Sequence, residues 1–198
     1  MRKRILTAAA LCLAAISAAL ASPLDNIIIP SDQTYVRSLN GTWSFRFING
    51  NDWSAYSDFF KEGYDVSSWD SIPVPGCWDA LGYLTAVYAH PEDVTGLYRT
   101  SFEVPAGWSG KHVFLNLDGV LRGYDLWING QKAGCWELAN NSCQFDITDF
   151  VKTGRNELAM RVYTRYKGYE FDGNDDWGQV GIHRNVTLFA VPETHVKD

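Results

Sequence analysis

The sequence predicts an all-β protein, a β-sandwich of jelly-roll type. Short runs in which apolar and polar residues alternate are separated by turn clusters, and helical candidates are brief. Composition agrees: 46% hydrophobic, 14% aromatic and 20% charged residues describe a globular chain, too aromatic for disorder and too poor in charge for a coiled coil.

Taken in order, Gly41-Thr42-Trp43-Ser44-Phe45-Arg46-Phe47 alternates aromatic with polar residues, the period-two mark of a half-buried strand. From Leu97 to Val104, Tyr98, Thr100, Phe102 and Val104 share one face. Val113, Leu115 and Leu117 alternate with Phe114, Asn116 and Asp118. Tyr124, Leu126 and Ile128 do the same and run into Asn129-Gly130, a hairpin turn because both residues tolerate positive φ. Lys132 to Trp136 is the returning strand. Leu158, Met160 and Val162 mark another, and Asn185 to Val191 the last. Pro105-Ala106-Gly107, Lys152-Thr153-Gly154-Arg155 and Asp172-Gly173-Asn174 punctuate them. Helical candidates are confined to Trp53–Phe60 and Ile147–Val151.

The first residues read differently. Arg2-Lys3-Arg4 precedes an apolar run from Ile5 to Leu20, and Ala19-Leu20-Ala21 puts small residues where a signal peptidase reads. Residues 1–21 are therefore expected to be a secretory signal cleaved before Ser22, since the run is short and alanine-rich for a membrane span. The mature protein is expected to be exported, periplasmic or extracellular, with no membrane span after cleavage. Residues 22–37 form a lead-in and 38–198 a single domain, too small to hold a (β/α)8 barrel of about 250 residues as well.

Three cysteines remain beyond Cys12. An oxidising compartment allows a disulfide, and Cys135–Cys143 is the close pair; three thiols behaving as small hydrophobes are the alternative. The four histidines are scattered and no C-x-x-C occurs, so no zinc site is expected. A formal charge of −6 argues against a nucleic-acid partner, which needs a basic stripe. Phosphate-binding, dinucleotide-binding and zinc-protease motifs are missing, and no cofactor is expected. Asp172 to Asp176 begins like a calcium loop but has Trp177 where glycine is needed and His183 where glutamate is needed. The 23 acidic residues include no pair singled out as acid and nucleophile.

Several phrases then add up. Leu39-Asn40-Gly41-Thr42-Trp43-Ser44-Phe45 is followed by Ile72-Pro73-Val74-Pro75-Gly76-Cys77-Trp78 and Thr95-Gly96-Leu97-Tyr98-Arg99. Leu117-Asp118-Gly119-Val120, Asp125-Leu126-Trp127-Ile128-Asn129-Gly130 and Phe145-Asp146-Ile147-Thr148 come next. Gly154-Arg155-Asn156-Glu157-Leu158 and Gly181-Ile182-His183-Arg184-Asn185-Val186 close the set. In this order they resemble the N-terminal sugar-binding domain of glycoside hydrolase family 2, the family of β-galactosidases, β-glucuronidases and β-mannosidases. The resemblance covers nearly all of residues 38–198. It implies a galactose-binding-like jelly roll, a carbohydrate ligand, and an immunoglobulin-like domain and catalytic barrel as partners in the parent enzyme.

The same resemblance points to site residues. In the β-galactosidases this domain lends the barrel an aspartate two residues before a tryptophan, ahead of the Gly-Ile-x-Arg phrase. That register gives Asp175, with Asp176 between it and Trp177. A carboxylate accepts hydrogen bonds from sugar hydroxyls and an indole stacks on a sugar face; an acidic turn with Trp177 packed in the core is the alternative. The family's Thr-Asn-Val phrase is matched only by Thr85-Ala86-Val87, a departure from strict β-galactosidase specificity. Tyr88 and His90 follow in that loop as further lining candidates, with a packing or turn role as the alternative. Asn156-Glu157 matches the family's acid/base dipeptide in letters only, because it opens a sandwich strand, so no catalytic residue is assigned. The leading expectation is a non-catalytic sugar-binding domain present as a fragment. A stand-alone secreted carbohydrate-binding module and an adhesive sandwich are the alternatives.

Overall fold

The computed structural model describes residues 27–85, 87–88, 92–138, 141–169 and 177–196. The expected signal therefore lies outside the described residues, as do His90, Asp175 and Asp176. Within them the chain is an antiparallel jelly-roll β-sandwich. The strands are β1 (Val36–Ser38), β2 (Gly41–Asn49), β3 (Asp70–Val74), β4 (Gly76–Cys77), β5 (Val94–Val104), β6 (His112–Leu117), β7 (Gly123–Ile128), β8 (Gln131–Trp136), β9 (Cys143–Asp146), β10 (Gly154–Tyr163), β11 (Gly181–Ile182) and β12 (Val186–Val191). One sheet has the order β3-β2-β5-β10-β7-β8 and the other β1-β12-β6-β9, while β11 and β4 form a separate two-stranded pair.

The alternation in the sequence assigns the faces. Trp43, Phe45, Tyr98, Phe102, Leu126 and Leu158 point inward from the larger sheet, against Val113, Leu115, Phe145, Val186 and Leu188 of the smaller one. Asn129 and Gly130 turn between β7 and β8 with φ of 48° and 76°, as a two-residue hairpin requires. Asn156 is buried in the turn that opens β10. Its Oδ1 accepts from Lys152 N at 2.9 Å and its Nδ2 donates to Lys152 O at 2.7 Å, so the buried amide is satisfied.

Two departures from expectation concern helices and edges. The helical candidates shorten to single 3-10 turns, Ser54–Tyr56 and Thr148–Phe150. The aromatic spacing of the first has another cause: residues 53–69 lie across the outer face of the larger sheet. There Trp53, Phe60, Tyr64 and Trp69 cover Phe59, Leu97, Trp127 and Ala159, and Phe60 stacks on Trp127 at 5.2 Å and 9°. On the smaller sheet, the lead-in contributes Ile27 to an outer cluster with Phe114, Phe189 and Val191. Gln144 clamps it there, accepting from Ile27 N at 2.7 Å and donating to Ile27 O at 3.0 Å.

The Cys135–Cys143 bridge is not formed: both are free thiols, as is Cys77. Cys135 lies on β8 of the larger sheet and Cys143 on β9 of the smaller one. Cys143 faces inward, 2% exposed in the core, so it serves as the small hydrophobe of the alternative reading.

Candidate functional site

The site is built on the pairing of β4 with β11, Gly181 opposite Cys77 and Ile182 opposite Gly76. This short ladder ties the loop after Cys77 to the segment before Ile182. Trp78 N donates to Val180 O at 2.8 Å, and Leu121 N to Gly181 O at 2.8 Å. Only glycine fits at 181: φ is +131°, and a Cβ would stand 2.6 Å from Gly76 O.

Trp78 anchors the loop. Its indole is fully buried, donates from Nε1 to the Tyr98 hydroxyl and lies 5.6 Å from Phe45. Gly96 gives it room, since a Cβ there would overlap the indole. From Trp78 the chain returns across Phe45 and Phe47, with Tyr83 at 4.9 and 5.8 Å from their rings. It thus heads for the end of the sandwich where β5 begins. Burial drives the Tyr98 hydroxyl far above its ordinary pKa, so it is a neutral structural group.

At that end, two sequence-predicted residues come together. Tyr88 and Trp177 meet edge to face, ring centroids 5.9 Å apart at 84°, a favoured aromatic geometry. They are 57% and 64% exposed, so the core reading of Trp177 is overturned. Leu81 and Val87 add exposed apolar surface on the same loop. Beside them Gln179 Nε2 reaches Asp79 Oδ2 at 3.5 Å, while Asp79 Oδ1 is buried with no hydrogen-bond partner among the described residues. Asp79 and Gln179 carry no motif and were not among the sequence candidates. Their signal was adjacency alone, two residues after Cys77 and two after Trp177.

His183, next to β11, packs its ring against Gly119. Burial, with the Arg184 charge adding to it, lowers its pKa from 6.5, so it is neutral at pH 7. Glu157 is held by an ion pair to Arg99 on the outer face of the larger sheet, far from the aromatic pair. Among the described residues no group of three His, Cys, Asp or Glu side chains is placed to hold a metal ion.

An all-β sandwich with exposed aromatics and polar groups at one end has the form of a carbohydrate-binding domain. Comparison with known proteins gives the family. The description "Glycosyl hydrolases family 2, sugar binding domain" matches residues 36–192, and the chain belongs to that family. It is 35% identical over 180 residues to a β-galactosidase of Clostridium acetobutylicum, covering 82% of this chain and 20% of that protein. A β-galactosidase of Priestia megaterium is 30% identical over 182 residues, 83% of this chain and 18% of that one. A β-glucuronidase of Bacteroides uniformis superposes with a TM-score of 0.63 at 30% identity, over 79% of this chain and 18% of its own. A β-glucuronidase of an uncultured Clostridium, 20% identical, shares the fold with a TM-score of 0.68 over 85% of this chain and 31% of its own. The chain thus spans about a fifth of the length of the curated relatives it matches.

Proposed function

We propose that this chain is the sugar-binding domain of an exported, β-galactosidase-like family 2 glycosidase, and that Tyr88 and Trp177 form one wall of its carbohydrate site. The exposed aromatic pair, held at one end of the sandwich by the β4–β11 ladder, carries this reading. Aromatic rings pack on the apolar face of a pyranose, and Asp79 and Gln179 supply an acceptor and a donor beside them. Asp175, Asp176 and His90, sequence neighbours of Trp177 and Tyr88, are proposed as further members of the site. Retaining hydrolysis needs a paired acid and nucleophile; in this reading those come from a barrel domain, packed with an immunoglobulin-like domain, and this chain alone does not hydrolyse glycosides. Export is supported by the basic, apolar and small-residue pattern of residues 2–21.

The test is titration of the protein with methyl β-galactoside, β-glucuronide and β-mannoside. Binding is expected to be millimolar, about −4 kcal/mol, since one wall of a pocket makes few contacts. Trp177→Ala is expected to weaken it at least tenfold with an unchanged melting temperature. Equal affinity in the two proteins, or a purely thermal effect, would remove the aromatic pair from the site.

A further inference from the structure

A second binding site lies on the outer face of the larger sheet, and we infer that it takes a neutral sugar residue of a glycan chain. The β2, β5 and β10 strands present a groove of about 260 Å³ there, bounded on one side by Tyr64 and Val66. This is the part of the face that residues 53–69 leave uncovered. It lies well away from Tyr88 and Trp177. Their loops sit where β10 ends at Tyr163, opposite Gly123 and Thr95; Glu157 is six residues back along that strand, about 20 Å at the antiparallel rise.

The floor of the groove is rigid. Arg99, 6% exposed, donates to Phe59 O, to Lys61 O and to the Glu157 carboxylate. Gly63 N donates to the same Glu157 oxygen at 3.0 Å, and the guanidinium lies 5.9 Å from the Tyr64 ring. Arg99 thus holds the turn at residues 59–63 and its aromatic wall. The second oxygen of Glu157, which stays partly exposed, is left to accept.

The rim is the opposite. The hydroxyls of Thr42, Ser44 and Ser101 and the guanidinium of Arg155 line the groove and make no hydrogen bond or ion pair among the described residues. Three groups that both donate and accept, one donor cluster, one carboxylate acceptor and one aromatic side are the complement of a pyranose. Its vicinal hydroxyls donate and accept in alternation around an apolar face. Charge selects a neutral ligand. Arg99 is paired with Glu157, and Arg155, the second guanidinium of the lining, has Glu103 opposite it on the neighbouring strand. In and beside the groove two carboxylates therefore match the two arginines, and a uronate meets no excess of positive charge.

The assignment is separable from that of the aromatic pair by working in the Trp177→Ala protein. Amide and side-chain NMR shifts are followed during titration with cellotriose, mannotriose and β-1,4-galactotriose as neutral probes, and glucuronic acid as the anionic one. At least one neutral trisaccharide is expected to shift residues 42, 44, 64, 101 and 155 as a connected patch. Arg155→Ala combined with Ser101→Ala, both at exposed positions, is expected to weaken that binding roughly tenfold without moving the melting temperature. Three results overturn the inference: shifts confined to residues 77–88 and 177–182, preference for glucuronic acid over every neutral probe, or no shift in the patch at tens of millimolar of any probe.

Discussion

Trp177 stands edge-on to Tyr88 with ring centroids 5.9 Å apart, and of the eight tryptophans in the chain it is the one exposed to solvent, at 64%. The contact joins two loops distant in sequence at the point where neither is covered by the sandwich. With Tyr88, Leu81 and Val87, Trp177 forms an exposed apolar patch, the kind of surface that marks a binding site, whereas a single exposed side chain would not. Acrylamide is therefore expected to quench a red-shifted component of the fluorescence belonging to Trp177, and saturating sugar to protect it. A quenchable component that survives in Trp177→Ala would show the exposed indole to be another one.

Gly181 is the hinge pin of the site. Its N–H and C=O both bond Leu121 across an isolated bridge, it pairs with Cys77, and its backbone conformation and the 2.6 Å approach to Gly76 O exclude a side chain. Gly181→Ala combines left-handed strain with overpacking and is expected to cost about 3 kcal/mol. Gly107→Ala, where nothing lies within 4 Å of the added Cβ, is the control and is expected to be near neutral. Urea midpoints of the two variants check this, and sugar affinity should fall with Gly181→Ala because β4 and β11 position both loops.

The long strands are legible in the sequence because each has one face in the core. From β2, β5, β6, β7 and β10 the eye recovers Phe45, Tyr98, Leu115, Leu126 and Met160 by counting in twos. Other strands have no such period. β4 and β11 are two residues each, and β3 carries Pro73, which marks an edge and argues against a strand in sequence. The aromatics of residues 53–69 mimic a helix because they are chosen by the sheet beneath them, not by their neighbours in the chain. At the site, Tyr88 and Trp177 were reached through resemblance alone. That they touch depends on the β4–β11 pairing, a contact between residues over a hundred apart that no local pattern encodes. The lack of a Cys135–Cys143 bridge has the same origin: proximity in sequence does not say that Cys135 stands opposite Asp125 on β7 while Cys143 faces the core from the other sheet.

Thiol chemistry should rank by burial. Desolvation in the core pushes the Cys143 thiol up to about 12, so its thiolate is scarce at neutral pH as well as inaccessible. Cys77 is half-buried, and its pKa is raised by burial and then by the Asp79 charge. Iodoacetamide at pH 8 under native conditions is expected to leave Cys143 unmodified until the protein unfolds, whereas Cys135, at the partly exposed edge strand β8, reacts. Peptide mass mapping without reductant should find Cys77, Cys135 and Cys143 all alkylated after denaturation. A Cys135–Cys143 cross-linked peptide would contradict the free-thiol arrangement.

His183 makes stability pH-dependent. Burial against Gly119, reinforced by the Arg184 charge, lowers its pKa below the 6.5 of an unfolded histidine. Between those two values the unfolded chain binds a proton that the folded protein does not, so stability rises with pH in that window. Going the other way, the folded state loses stability as pH falls from about 6.5 until the folded pKa is reached, and the loss from this residue then stops growing. His183→Gln keeps a neutral polar side chain of similar reach and cannot take up the proton. Urea midpoints measured from pH 7.5 to 5.0 should therefore fall less steeply in His183→Gln than in the parent, with the difference opening below about pH 6.5. Parallel curves would mean that His183 is solvated enough to titrate as it does in the unfolded chain.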